Sequence, residues 1–265
     1  MSSILLKVEG TGNDFLLGAG AWAQRLADDA QTVVRLCRRR RGIGADGVLA
    51  VFRESRSAIR LVHRNADGSP SDFCANGTRC AARAAVEHLG CDPHLVIHTG
   101  WTTIPAEVAE ESVTLELPAP GPISMLSLAT EEGRFPGQLL TVGVPHLVVP
   151  VEDLESVDLD RVARPLRHHP DLGPAGANVH LVETAGDTDL AIRSLERGVE
   201  TEVLCCGSGV VAAALVTMAN TKQTHLSVVP RSGDVLRVEA LDAPPESPSR
   251  LTGPARLVAE ITFLD

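Results

Sequence analysis

Cys74-Ala75-Asn76-Gly77, running on into Thr78 to Leu89, is the stretch that decides the fold. It has a counterpart 132 residues later in Cys206-Gly207-Ser208-Gly209, which opens Val210 to Ala219. Each is a cysteine, a glycine-bearing start and a small, alanine-rich helical run. The second run has no charge at all, and both helices are expected to be enclosed by protein. The separation is about half of the chain, which makes an internal duplication a natural reading.

Strand-like runs flank both devices. Ahead of Cys74, Ile4 to Val8 reads as a strand and Gly10-Thr11-Gly12-Asn13-Asp14 as a turn. Ala30, Val33, Val34 and Cys37 recur at helical spacing. Arg38 to Arg41 fall where that helix ends, suiting its negative pole, with Gly42 as the C′ residue. Val48 to Phe52 and Ile59 to His63 are strands, followed by the turn Asn65-Ala66-Asp67-Gly68. Gly90 closes the first small-residue helix, and Leu95 to His98, Thr102 to Val108 and Val113 to Leu117 form a meander. Pro118-Ala119-Pro120-Gly121-Pro122 is the clearest linker, placing one domain at 1–118 and a second at 119–256. The second half has strands near Leu139 to Val142, Leu147 to Val149, Val179 to Val182 and Leu190 to Leu195. Its helix ends before Asn220, and strands follow at Leu226 to Val229, Val235 to Ala240 and Leu257 to Phe263.

Composition narrows the function. Aromatics make up 3% with no tyrosine, and the formal charge is −10, which together disfavour a base-stacking or polyanion-binding protein. The four arginines read as a solvated helix end. The N-terminus shows no signal peptide, and no apolar run approaches the roughly 20 residues of a membrane span. Six cysteines without a Cys-x-x-Cys pair point to reduced thiols in a cytoplasm and not to structural zinc; the nine histidines show no ligand spacing, so no metal is assigned. Gly42-Ile43-Gly44-Ala45-Asp46-Gly47 matches a dinucleotide fingerprint by letter, but a helix precedes it and a strand follows, the reverse of what that site needs. It is read as a turn into a strand.

Cys37, Cys80, Cys91 and Cys205 read as small buried hydrophobes. Cys74 and Cys206 are different, because each stands at a helix N-terminus, where unpaired N–H groups lower a thiol pKa and hold a carboxylate. Inverting a carbon needs one group to remove a proton from one face and another to deliver one to the opposite face. Two thiols, one ionised and one protonated, supply this without a cofactor, while the helix ends stabilise developing charge. The competing explanation is a pair of unrelated structural cysteines. Asn13, Asn65, Asn76 and Asn178 lie in or beside turns, and Arg197 in Glu196-Arg197-Gly198 suits a bidentate grip on a carboxylate.

The ordered set Gly12-Asn13-Asp14-Phe15, Gly42 to Gly47, Asn65 to Ser69, Cys74 to Cys80, Pro145-His146, Asn178-Val179, Glu196 to Gly198 and Cys206 to Gly209 resembles the diaminopimelate epimerase family along nearly the whole chain. The resemblance implies an α/β (α+β) fold of two pseudo-symmetric domains. Each is a curled, mostly antiparallel sheet around a central helix, with the active site in the interdomain cleft and the last strand, about 257–265, returning to the first domain. It implies interconversion of LL- and meso-diaminopimelate, on the route to lysine and peptidoglycan, without pyridoxal phosphate, by a cytoplasmic homodimer. Cys74 and Cys206 match the catalytic pair. Asn13, Asn65, Asn178, Glu196 and Arg197 match substrate-binding positions; Ala75, Asn76, Gly77, Gly207 and Ser208 fall where the reacting carboxylate is cradled, and His146 beside the reacting centre. Two residues depart from the pattern, Val144 where many members have asparagine and Ala75 in place of glycine. A racemase of another amino acid, such as histidine, and a non-catalytic ligand-binding homologue are the alternatives.

Overall fold

The computed structural model describes residues 4–185 and 189–262. The chain divides into two compact units, Met1–Leu115 with Gly253–Asp265 and Glu116–Thr252.

In the first unit, β1 (Ile4–Gly10) and β2 (Asn13–Ala19) form a hairpin. Helices α1 (Ala21–Asp28) and α2 (Ala30–Cys37) then cross over to β3 (Gly47–Arg53), which runs parallel to β2. β4 (Ala58–Asn65) is antiparallel to β3 and carries the short β5 (Pro70–Ser71). Helix α3 (Ala75–Leu89) leads to β6 (His94–His98), parallel to β4, and the meander ends with β7 (Thr103–Val108) and β8 (Val113–Leu117). β2 and β3 are apolar on both faces because both are covered. Leu16, Val48 and Ala50 pack with Leu26, Val33 and Leu36 of α1 and α2, while Leu49 lies beneath α3. On β4 and β7 the burial alternates with the pleat, as in Ile59 and Leu61 or Ile104 and Ala106.

The second unit repeats this topology. β9 (Ser124–Thr130), β10 (Gly133–Val142) and β11 (Val144–Pro150) are consecutive antiparallel neighbours. Helix α4 (Leu159–Arg167) crosses over to β12 (Asn178–Ala185), parallel to β11. β13 (Asp189–Leu195) is antiparallel to β12 and carries the short β14 (Glu202–Val203). Helix α5 (Gly207–Thr221) leads to β15 (His225–Pro230), parallel to β13, followed by β16 (Leu236–Ala240) and β17 (Ser249–Gly253). The period-2 pleat sorts this sheet. Leu147, Val149, Val179, Leu181 and Leu195 face α4, so His146, His180 and Ser194 face the other way, toward α5. Finally, β18 (Arg256–Glu260) pairs antiparallel with β1, taking in the first unit the place that β9 takes in the second.

Four local expectations are corrected. The first turn occupies only Thr11 and Gly12, both at positive φ, while Asn13 and Asp14 already belong to β2. Helix α2 stops at Cys37 with Arg38 as its cap, so Gly42 is not the C′ residue. Its need is space, because a Cβ there would sit 2.2 Å from the Arg35 carbonyl oxygen. Asn220 lies inside α5, which ends at a left-handed Lys222. The last strand stops at Glu260, and the expected end at Phe263 lies outside the described residues.

Candidate active site

Cys74 caps α3 in an extended conformation, with its sulfur 3.5 Å from the Gly77 N–H that donates to it and 3.7 Å from Asn13 Oδ1. Its carbonyl accepts from the Thr78 hydroxyl at 2.8 Å, which ties down the first turn. Gly77 is needed for contact, since a Cβ there would meet Leu49 Cδ2 at 2.9 Å. Asn76 is buried and fixed by Arg79, a fully buried guanidinium whose Nη2 lies 2.9 Å from Asn76 Oδ1. Asn76 Nδ2 in turn reaches Asn13 Oδ1 at 3.5 Å, and Asn13 Nδ2 donates to Asp46 at 2.7 Å. Arg39 bridges Asp46 and Asp14. Burial works against the Asp14 carboxylate, but hydrogen bonds and charge from Arg39 and Lys7 prevail and hold its pKa at about 2. Asn65 is exposed at the end of β4 and bonds Ser69 Oγ at 3.0 Å; the next N–H, of Ala66, donates to the Asp46 carbonyl. Cys74 lines a shallow dent together with His63, Asp72, Phe73 and Thr99 among others. His63 Nδ1 is buried without a hydrogen-bond partner, and burial lowers the ring's pKa to about 4.

Cys206 caps α5 and is buried, unlike the half-buried Cys74. Burial pushes its pKa well above the usual thiol value, and the Glu196 carboxylate, hydrogen-bonded to it, pushes the same way. The Gly209 N–H and the Ser208 hydroxyl pull in the opposite direction. The expectation that both helix ends acidify their thiols is therefore corrected for Cys206: desolvation outweighs the helix terminus, and the group is a thiol at neutral pH. Ser208 Oγ lies 3.8 Å and Asn178 Nδ2 4.0 Å from the sulfur. Asn178 Oδ1 accepts from the Arg197 N–H at 2.8 Å, joining Arg197 to this group through its backbone.

Beneath α5 lies a polar chain that joins His146, expected at the site, to His180 and Ser194, which the sequence did not point to. His146 Nε2 is 3.4 Å from the Val142 carbonyl oxygen, His146 Nδ1 is 2.8 Å from His180 Nε2, and His180 Nδ1 is 2.8 Å from Ser194 Oγ. A carbonyl only accepts, so His146 carries its proton on Nε2 and its Nδ1 must accept. His180 then donates from Nε2 and accepts at Nδ1 from Ser194. Both rings are fully buried; burial lowers His146 to about 4 and His180 well below the ordinary value, so both are neutral. The donor atoms of His146, His180 and Cys206 all lie within 4.8 Å of one another. They come from β11, β12 and α5, which is why no spacing in the sequence revealed the cluster.

The structure thus groups Asn13, Ala75, Asn76 and Gly77 at Cys74, and His146, Asn178, Glu196, Gly207 and Ser208 at Cys206. Solved structures with the same fold include a probable proline racemase from Agrobacterium radiobacter K84, at a TM-score of 0.74 and 16% identity, covering 99% of this chain and 93% of that one. A phenazine biosynthesis protein of the PhzF family from Bacillus anthracis superposes with a TM-score of 0.75 at 17% identity, covering 100% of both chains. The fold is thus one shared by racemases and related proteins. The family model for diaminopimelate epimerase matches residues 5–117 and 139–258, and the chain belongs to that family. It is 37% identical to a diaminopimelate epimerase of Chlorobaculum tepidum, covering 95% of this chain and 97% of that one. To that of Aquifex aeolicus it is 32% identical over 88% of each. It is an isomerase of the amino-acid epimerase class.

Proposed function

We propose that this chain interconverts LL- and meso-diaminopimelate by proton transfer between two thiols, Cys74 and Cys206, acting on opposite faces of one carbon without a cofactor. The observation that carries the reading is the repeated scaffold, in a member of this family, with an N-cap cysteine on the buried helix of each unit. Cys206, which burial and the hydrogen-bonded Glu196 carboxylate keep protonated, serves one face of the carbon, and Cys74 serves the other. The N–H groups of the first turns of α3 and α5 bind the reacting carboxylate and stabilise charge as it develops. Asn13, Asn65, Asn178 and Arg197 bind the ammonium and carboxylate at the end that does not react. One domain (1–118, with the last strand) supplies Cys74 and the other (119–256) Cys206. The working form is a cytoplasmic homodimer serving lysine and peptidoglycan synthesis.

The test is α-proton exchange in D₂O, followed by NMR, with LL-diaminopimelate, meso-diaminopimelate and histidine side by side. Both diaminopimelate isomers should exchange and interconvert, and histidine should not. Preference for histidine would overturn the substrate but leave the two-thiol chemistry. No exchange with any of them in reduced enzyme would overturn both.

A further inference from the structure

We propose that His146, His180 and Cys206 form a binding site for one thiol-seeking divalent cation of the zinc class. The inference rests on donor chemistry and geometry, and the binding it describes does not depend on the reaction assigned above. Two imidazole nitrogens and a thiol sulfur, all within 4.8 Å of one another, are the soft and borderline donors that zinc prefers. His146 Nδ1 and His180 Nε2 point at each other across 2.8 Å with one proton between them. Two nitrogens on a tetrahedral zinc, each at roughly 2.0–2.1 Å, stand about 3.3 Å apart, so the rings need to separate by only about half an ångström.

The outer nitrogens are already held as a metal site requires. His146 Nε2–H is directed at the Val142 carbonyl, and His180 Nδ1 lies on Ser194 Oγ, a hydroxyl that can donate or accept. When the metal enters, the His180 proton moves from Nε2 to Nδ1 and the Ser194 hydroxyl turns to accept it, so both rings stay neutral. Cys206 loses its proton to solvent and forms the S–metal bond, so one proton is released per metal bound. The Glu196 carboxylate beside the sulfur offsets the remaining positive charge. Gly209 makes room for His180, since a Cβ there would stand 2.1 Å from its Cε1. Because the metal occupies the sulfur lone pair that must carry a proton, loading also arrests the reaction proposed above.

The test uses the reduced, metal-free full chain titrated with Co²⁺ as a spectroscopic probe. One Co²⁺ per chain should give a thiolate-to-cobalt charge-transfer band, bleached by one equivalent of Zn²⁺, with one proton released. Cys206→Ser should lose the band while Cys74→Ser keeps it, each with an unchanged circular dichroism spectrum. His180→Asn should weaken binding more than tenfold, and Ser194→Ala, which removes only the outer hydrogen bond, by about 10–100-fold. Should His180→Asn fail to fold, Ser194→Ala and the two cysteine variants decide the matter. Cobalt bound without a thiolate band, a band that survives Cys206→Ser or one lost in Cys74→Ser would overturn the site.

Discussion

The two units carry the same strand pairings but different chemistry at the same place. Parallel pairing begins at Phe15 with Gly47 in the first unit and at His146 with Asn178 in the second. Counting from those pairs, Leu49 corresponds to His180, His63 to Ser194 and Asn13 to Val144. Gly77 and Gly209 each stand three residues past the capping cysteine. Under Gly77 lie Leu49 and Phe15; under Gly209 lies His180, bonded to His146. The shared requirement is a glycine where helix meets sheet. What differs is the floor, apolar beneath the half-buried thiol and hydrogen-bonded beneath the buried one. A repeated scaffold thus keeps its backbone contacts while its side chains give the two corresponding thiols unequal surroundings.

The largest effect should come from removing either thiol. Cys74→Ala or Cys206→Ala should each cut epimerisation by at least about 10²–10⁴-fold with the fold intact, because each face needs its own proton carrier. Cys80→Ala and Cys205→Ala should keep most activity. An active Cys206→Ala beside a dead Cys205→Ala would show that the wrong cysteine of the adjacent pair has been matched to Cys74.

The glycines test the floors directly. Gly209→Ala pushes on a ring held by two hydrogen bonds and should destabilise by about 1–3 kcal/mol. Gly77→Ala meets the end of a leucine side chain, which can turn away. Its better helix propensity, about 1 kcal/mol, should leave the net change small. Denaturant midpoints compare the two, and equal losses would remove the distinction between the floors.

His63 gives the first unit an acid-sensitive group of its own, beside His146 and His180 in the second. Its folded pKa is lowered from 6.5 to about 4, so the neutral ring is favoured in the native state. The corresponding stability is present above pH 6.5 and lost as pH falls toward 4, amounting to about 3 kcal/mol. His63→Leu should flatten that part of the stability curve, and it also removes a buried Nδ1 that has no partner. An unchanged acid limb would mean that His63 already titrates normally.

Val144→Asn, which restores the residue type of its counterpart Asn13, should have the smallest effect. One neutral hydrogen bond contributes about 0.5–1.5 kcal/mol, so kcat/KM for diaminopimelate should change by no more than about tenfold. Arg197→Ala, which removes a cation, should lower it further. The reverse order would relocate the specificity to β11.

Where the pattern was regular, the sequence was sufficient to locate α3, α5 and the strands around them, because small-residue helices and period-2 strands each leave a signature. Helix α1 was not legible, since only Ala23 and Leu26 of its eight residues are buried. Helix α4 was hidden by Pro165, which ordinarily argues against a helix interior. β9 is largely exposed and lacks a clear apolar alternation. Of the site, the two cysteines could be read because helix starts are local. His180 and Ser194 could not, because Val-His-Leu-Val reads as an ordinary strand and only the pairing of β12 with β11 and β13 brings these groups together.

The return of β18 to β1 also bears on the order in which the molecule is made. Glu116–Thr252 is one unbroken segment, so on a ribosome it emerges before the Arg256–Glu260 strand. In the first unit β1 is paired with β2 on one edge but lacks its second neighbour until Arg256–Glu260 has been synthesised. Until then β1 presents a free edge of unpaired N–H and carbonyl groups. The unit whose first strands precede Glu116–Thr252 is therefore completed after it, and a chain cut before β18 should be most prone to aggregation through β1.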